Sequence, residues 1–341
     1  MAGAAGHHQP VERALAASLA YAVEPGGRLE RLATREELAR RLASGRGQIW
    51  VDIDSRSEAE WWLLGDVFRF HPLAIEDTRS PESRIKVEEY DGYLFVVARA
   101  VRFATWTPEP YDIASYNTYL FLGRNYLVTV HGEPSRAVET VAARVEAAPE
   151  LMARGVDHVA YMLLDTLVDF YFPLLDEIDT FVDELEERIF EHHGKDTMER
   201  IFELKRSLLA LRRHLAPMRE VAATLANRPS AYLRPETQIY FRDVYDHVVR
   251  QVESVETFRD ILSGAMEGYL SSVSNRMNEV IKALSVIATV VLPPTLVASI
   301  YGMNFARMPG LDHPWGFWLA LLAMAVISGG FVIYMWWKRW L

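Results

Sequence analysis

From Ala283 to Ile300 the chain reads ALSVIATVVLPPTLVASI, without a single charge. Continued to Gly302 as a helix, this run measures ~30 Å, the depth of a bilayer's hydrocarbon core. After a short polar interval, a second uncharged run extends from Trp315 to Trp337. Trp315, Phe317 and Trp318 crowd its start, and Tyr334, Trp336, Trp337 and Trp340 its end. Aromatic side chains with one apolar and one wet end collect in this way at membrane–water interfaces. Two such runs must be hidden from water, and the girdle favours a bilayer over a soluble core.

Basic residues set the orientation. Arg276 and Lys282 precede the first run, and Lys338 and Arg339 follow the second. The connecting stretch, Asn304 to Pro314, carries only Arg307 and Asp312 as fixed charges. The positive-inside rule then leaves a short loop outside and both termini in the cytoplasm, as a multi-pass protein of the cell inner (plasma) membrane. Ala14–Val23 is mildly apolar, but Glu12 and Arg13 precede it without a secretory cleavage site, so the start is expected to stay inside.

Asp and Glu number 46 against 36 Lys and Arg, a formal charge of −10. A nucleic-acid partner is not expected, because binding phosphates needs an excess of cations. The absence of cysteine excludes disulfides, thiolate metal sites and cysteine nucleophiles.

Residues 1–155 read as an α/β cytoplasmic domain. Gln48–Asp54, Tyr93–Phe103, Tyr116–Leu122 and Tyr126–His131 are Val-, Ile- and aromatic-rich runs of strand character, and Gly123-Arg124-Asn125 suits a hairpin turn. Glu58–Phe68 and Ser135–Ala148 have helical periodicity. Residues 156–282 read as a stalk of long α-helices. Asp157–His193 carries Asp165, Asp169, Asp176, Asp179 and Asp183 beside a Leu/Ile/Phe stripe, which suits a solvated face or an attractor of cations. Thr197–Leu225 is a second helix, ended by Asn227-Arg228-Pro229. Proline is absent from Glu236 until Pro293, so one helix of ~100 Å is expected from Glu236 to Ile300. Residues 283–341 form the transmembrane hairpin. Neither GxGxxG nor GxxxxGK[ST] occurs, and no His/Asp/Glu constellation has hydrolase spacing, so an enzyme is not expected.

A two-helix hairpin cannot enclose a water-filled path, so transport would need several copies around an axis. On a helical wheel Asn278, Ser285, Leu292, Thr295 and Ser299 share a sector of the first span, which suits either a pore wall or polar helix–helix packing. Neither span contains Asp or Glu. Neutral oxygens suit a cation that keeps its water, and Mg²⁺ sheds water most reluctantly.

The first span ends in Tyr301-Gly302-Met303-Asn304-Phe305, followed by Met308-Pro309, the second span and Lys338-Arg339-Trp340-Leu341. Upstream stand HPLAIED (His71–Asp77), KVEEYDGYLF (Lys86–Phe95), YFRDVYDH (Tyr240–His247) and YLSSVSNRMNEV (Tyr269–Val280). This combination resembles the CorA family of magnesium and divalent-cation channels. The resemblance implies a funnel-shaped homopentamer that admits Mg²⁺ and tolerates Co²⁺ or Ni²⁺. It implies a filter of Gly302, Met303 and Asn304, with the Asn304 ring meeting hydrated Mg²⁺. The pore wall it implies is Asn278, Leu284, Leu292, Thr295 and Ser299, with an apolar gate at Leu284 and Leu292. Regulatory Mg²⁺ would bind between subunits at Glu76, Asp77 and Asp243, with Glu267 at an acidic pore-helix position. One departure stands out: the family's loop usually reads MPEL, and here Gly310 replaces the glutamate, with Asp312 nearby. The alternatives are a ZntB-type zinc transporter, against which Met303 argues, and a non-conducting membrane-anchored cation sensor.

Overall fold

The computed structural model describes residues 15, 19–24, 26, 28–54, 62–107, 111–191, 195–304, 308–310 and 313–339. They divide into two compact units, one of residues 1–188 and 194–263, the other of residues 189–193 and 264–341.

The first unit is built on a seven-stranded sheet. Its strands are β1 (Leu19–Val23), β2 (Leu29–Arg31), β3 (Gln48–Asp54), β4 (Lys86–Tyr90), β5 (Tyr93–Phe103), β6 (Ile113–Leu122) and β7 (Tyr126–His131). They lie in the order β2-β1-β3-β7-β6-β5-β4, and every neighbouring pair is antiparallel except β3 with β7. Helices α1 (Arg35–Ser44) and α2 (Pro72–Arg79), with a π-helical turn at Leu63–Val67, follow the early strands. Leu38, Leu63, Leu64 and Ala74 from these segments, with Phe70 between the turn and α2, bury against Ile49, Val51, Phe95, Phe121 and Val128 of the sheet. The opposite face of β3 and β7 holds a polar chain. Trp50 Nε1 donates to Thr129 Oγ1 (3.2 Å), whose hydroxyl donates to Asp52 Oδ1 (2.5 Å), and His131 Nε2 lies 2.9 Å from Asp52 Oδ2. Burial opposes charge on His131, but the bond to Asp52 outweighs it and holds the imidazole above its ordinary pKa.

The sheet leads into α3 (Arg136–Ala147), α4 (Glu150–Ala153), α5 (Val156–Asp169), α6 (Tyr171–Glu191), α7 (Lys195–Asn227) and α8 (Pro235–Tyr301). The helix expected over Asp157–His193 is therefore two helices. Pro173 cannot donate to the Asp169 carbonyl four residues back, so the ladder breaks at Phe170. His192 and His193 lie outside the described residues, as do residues 55–61 of the helix expected over Glu58–Phe68. β6 begins at Ile113 rather than Tyr116, because Ala114 and Ser115 pair with Arg102 and Val101 despite weak strand propensity.

Asp157, at the start of α5, is buried and grips Arg234, just before α8. Arg234 Nη2 meets Asp157 Oδ1 at 2.5 Å, and Nε meets Oδ2 at 2.9 Å. Burial would raise the Asp157 pKa, but Arg234 holds it below the usual carboxylate range. From there Phe241, Val244, Val248, Val255, Phe258 and Leu262 point inward at helical spacing.

The second unit holds the remainder of α8 and α9 (Gly316–Trp337). Three helical stretches are long and apolar enough to cross a membrane among the described residues. The one within α5–α6 is 67% buried in the protein and is core, whereas those of α8 and α9 have no buried share.

Candidate functional site: the exposed face of α8 and an acidic cluster

α8 is 67 residues long and runs through Pro293 and Pro294. In its apolar part Ser285, Val286, Thr289, Val290, Pro293, Pro294 and Val297 are half-buried, a stripe at spacings of three and four that packs on α9. Asn278, Leu284, Leu292, Thr295 and Ser299 are exposed on the other side. Ser285, which the wheel groups with them, lies instead at the edge of the α9 stripe. The Thr295 hydroxyl donates to the Val291 carbonyl and that of Ser299 to the Thr295 carbonyl, both at 2.7 Å. Their protons are thus spent within the helix, and their lone pairs face outward as acceptors.

At the far end α9 and α8 bring their basic residues together. Lys282 Nζ donates to the Arg339 carbonyl at 3.0 Å, satisfying a group at the end of α9. Both cationic ends therefore sit on the same side of the hairpin.

Gly302, Met303 and Asn304 leave α8 in an exposed turn. The Gly302 amide donates to the Ala298 carbonyl at 2.9 Å, and that of Met303 to Ile300 at 3.2 Å. Further on, Gly310 has φ +92°, and a Cβ on Gly316 would stand 2.0 Å from the Gly310 carbonyl oxygen. Both positions need glycine, one for its backbone angle and one for the close approach. The loop glutamate of the resemblance is thus replaced by a residue that the backbone itself requires. Asp312, its candidate substitute, lies outside the described residues, as does Phe305.

In the first unit the predicted acids fall into different groups. Glu76 and Asp77 sit on α2, which His71 caps by accepting from the Leu73 amide (3.2 Å). Glu76 is exposed. Asp77 Oδ2 is 2.8 Å from Lys86 Nζ, which also lies 2.8 Å from Glu88 Oε2. Burial disfavours the Lys86 charge, but these carboxylates outweigh it and hold its pKa above the ordinary lysine value. Among the described residues, neither Glu76 nor Asp77 falls in a group of carboxylate or imidazole atoms close enough to share one metal ion. Glu267 is exposed on α8, in the second unit.

Asp243 belongs to a cluster whose members the sequence named separately but did not join. Carboxylate oxygens of Asp165 and Asp169 and a ring nitrogen of His247 lie within 4.8 Å of one another. His247 Nδ1 is 3.2 Å from Asp169 Oδ1, and Nε2 is 3.8 Å from Asp243 Oδ1. Burial, then the Asp169 and Asp243 charges, raise the Asp165 pKa. Burial, then Asp165 and Asp243, push the Tyr161 hydroxyl to about 12. Fully buried Gln251, one turn beyond His247, donates to the Val168 carbonyl at 2.8 Å and fixes the register of α8 on α5. Carboxylates crowded beside an imidazole fit a divalent cation: the oxygens suit Mg²⁺, and the nitrogen suits Co²⁺ or Ni²⁺. The missed signal is a double i,i+4 spacing, Asp165 with Asp169 and Asp243 with His247, each putting two ligands on one helix face.

Sequence comparison matches residues 45–339 to the family described as CorA-like Mg²⁺ transporter protein. The cobalt/magnesium transport protein CorA of Thermotoga maritima is 39% identical over 82% of this chain and 79% of its own length. The divalent cation transporter CmaX of Pseudomonas aeruginosa is 28% identical over 68% of this chain and 69% of its own. The complete structure of the CorA magnesium transporter from Methanocaldococcus jannaschii superposes with a TM-score of 0.80 at 22% identity, covering 95% of this chain and 99% of that one.

Proposed function

Because the chain belongs to the CorA-like Mg²⁺ transporter family, we propose that it is a membrane channel for Mg²⁺ influx that also passes Co²⁺ and Ni²⁺. It is a transport protein and not an enzyme. The observation that carries the pore reading is the exposed face of α8, on which Asn278, Leu284, Leu292, Thr295 and Ser299 lead to Gly302, Met303 and Asn304.

A single copy cannot close that face around water, and exposed polar side chains are costly in lipid, so the working unit is a homopentamer with five such faces on one axis. The Asn304 amides hydrogen-bond to water of the hydrated cation, and the outward lone pairs of Thr295 and Ser299 continue that contact inward. Leu284 and Leu292, 66% and 64% exposed on the single chain, form a constriction that closes by dewetting. Glu267 raises the cation concentration below it. Both termini lie in the cytoplasm of a cell inner membrane, with the basic ends of α8 and α9 inside. Inward flow then follows the membrane potential with no coupled ion.

Cytoplasmic Mg²⁺ regulates the channel. Asp165, Asp169, Asp243 and His247 hold a cation, with Glu76 and Asp77 contributing between subunits, and occupancy favours the closed state by its differential affinity. Asp243 and His247 share α8 with the pore face, so a shift at the cluster is coupled to the constriction through one helix.

Liposomes containing the purified protein and a Mg²⁺-sensitive dye test the reading. Mg²⁺ entry driven by an inside-negative potential, blocked by excess Co²⁺ and reduced at least tenfold by Asn304→Ala, is the expected result. No entry would leave a non-conducting sensor, and entry of Zn²⁺ unaffected by Mg²⁺ would point to a zinc transporter.

A further inference from the structure

Lys86 is the first residue of β4, and its ammonium is shared between Asp77 Oδ2 and Glu88 Oε2, each at 2.8 Å. Its side chain is 29% exposed and that of Asp77 28%, so the pair is partly sheltered from solvent screening. The arrangement is braced on both sides. Ser83 Oγ donates to the Asp77 carbonyl at 2.7 Å, and the Tyr90 hydroxyl donates to Glu88 Oε2 at 3.0 Å. The Phe95 ring lies 5.8 Å from the ammonium.

Any divalent cation that ligates Asp77 through Oδ2 competes with this ammonium for the same oxygen, and one that ligates through Oδ1 meets its repulsion a few ångströms away. Displacement does not strand the lysine, because Glu88 keeps hold of it beside a solvent-open cavity of about 680 Å³, whose lining sets Glu82 and Glu220 against Arg84, Arg99 and Arg213. Lys86 can therefore exchange Asp77 for water and Glu88 without leaving a buried charge unpaired.

We propose that Lys86 is an internal rival of the regulatory divalent cation at Asp77, and that it sets the cytoplasmic Mg²⁺ concentration at which the channel closes. The proposal rests on the reading of Asp77 as a regulatory ligand. The ammonium is a tethered competitor, so its effective concentration is constant and the closing threshold is raised by a fixed factor. Without it, cytoplasmic Mg²⁺ would close the channel at lower concentrations.

The test is a mutant cycle on the full-length protein. Half-inhibiting internal Mg²⁺ is measured in patches, and the midpoint of Mg²⁺-dependent thermal stabilisation is measured in detergent, so that a variant without current is still read. Lys86→Met should lower both values about fivefold or more, in the usual range of coupling between two sites. Lys86→Arg should stay within about twofold of wild type. Asp77→Asn should raise both values, and Lys86→Met should then add nothing. If Asp77→Asn shifts the midpoints while Lys86→Met leaves them unchanged or raises them, the lysine is a strut that orients the carboxylate and the proposal is overturned. If Asp77→Asn itself has no effect, Asp77 is not a regulatory ligand, and the reading beneath the proposal fails.

Discussion

The Ser328 hydroxyl of α9 donates to the Val290 carbonyl of α8 at 3.3 Å. Val290 is the residue whose helical donor would be the amide of position 294, and Pro294 has none. A polar group freed inside the apolar part of one helix is thus satisfied by the other, the usual way in which membrane helices tolerate proline. Ser328→Ala should destabilise the helix pair by about 0.5–1 kcal/mol, read as a lower detergent melting temperature. In a Pro294→Ala background the backbone supplies the donor, and the serine change should then cost nothing. An equal loss in both backgrounds would mean that Ser328 stabilises by some other contact.

Gly316 and Gly310 touch backbone to backbone, so Gly316→Ala must push the loop after Asn304 away from α9. Mg²⁺ flux should fall several-fold, with stability reduced by roughly 1–3 kcal/mol. Gly329 lies on the same helix with open space around its Cβ direction, and Gly329→Ala should leave flux unchanged. Equal flux in both variants would free the loop from any part in conduction.

If the acidic cluster holds regulatory cation, Asp165→Asn and Asp243→Asn should each raise half-inhibiting internal Mg²⁺ about fivefold or more while leaving current at low Mg²⁺ intact. His247→Ala should weaken inhibition by Co²⁺ and Ni²⁺ more than inhibition by Mg²⁺, because imidazole favours the later transition metals. Unchanged potency of all three ions in all variants would remove the cluster from gating.

The Asp157–Arg234 pair makes stability depend on acidity with a definite sign. Its carboxylate pKa is lowered on folding, so the stabilisation is complete above the unfolded value of about 4 and fades as pH falls through the folded one. Asp157→Asn should cost about 2 kcal/mol at pH 7, the scale of a charged hydrogen bond whose arginine is half exposed. Melting curves of mutant and wild type should converge as pH falls through the lowered Asp157 pKa. A gap that stays the same size from pH 7 down to the acid limit of folding would show that the loss comes from hydrogen-bond pairing and not from the carboxylate charge.

Much of the architecture could be read from the chain because the strongest signals are long ones. The absence of proline between Glu236 and Pro293 reads directly as one helix, and α8 spans Pro235–Tyr301. Runs dense in Val, Ile and aromatics gave β3, β5 and β7 to the residue, since β-branched side chains fit only a pleated surface there. β1 escaped notice because LAYAV is equally at home in a helix, and only pairing with β3 makes it a strand. The break at Phe170 was missed because the acidic periodicity continues across it and hides Pro173. Asp165 could be read only as part of a solvated face or a diffuse attractor of cations for a related reason: its partner His247 lies far along the chain and is brought in by the packing of α8 on α5.

The parallel contact between β3 and β7 has a consequence during synthesis. Asp52 and Thr129 are bonded side chain to side chain across 77 residues, while β4, β5 and β6 pair with their immediate successors. A nascent chain can thus zip its hairpins as they emerge, but β3 must wait with one edge bare. Trp50 and Val51, wholly buried at completion, are meanwhile on an open template for any other strand. Closure of that one seam, with its long loop to immobilise, is the slow and aggregation-exposed step in the birth of the sheet. Chains halted before Tyr126 would be the ones that a chaperone has to hold.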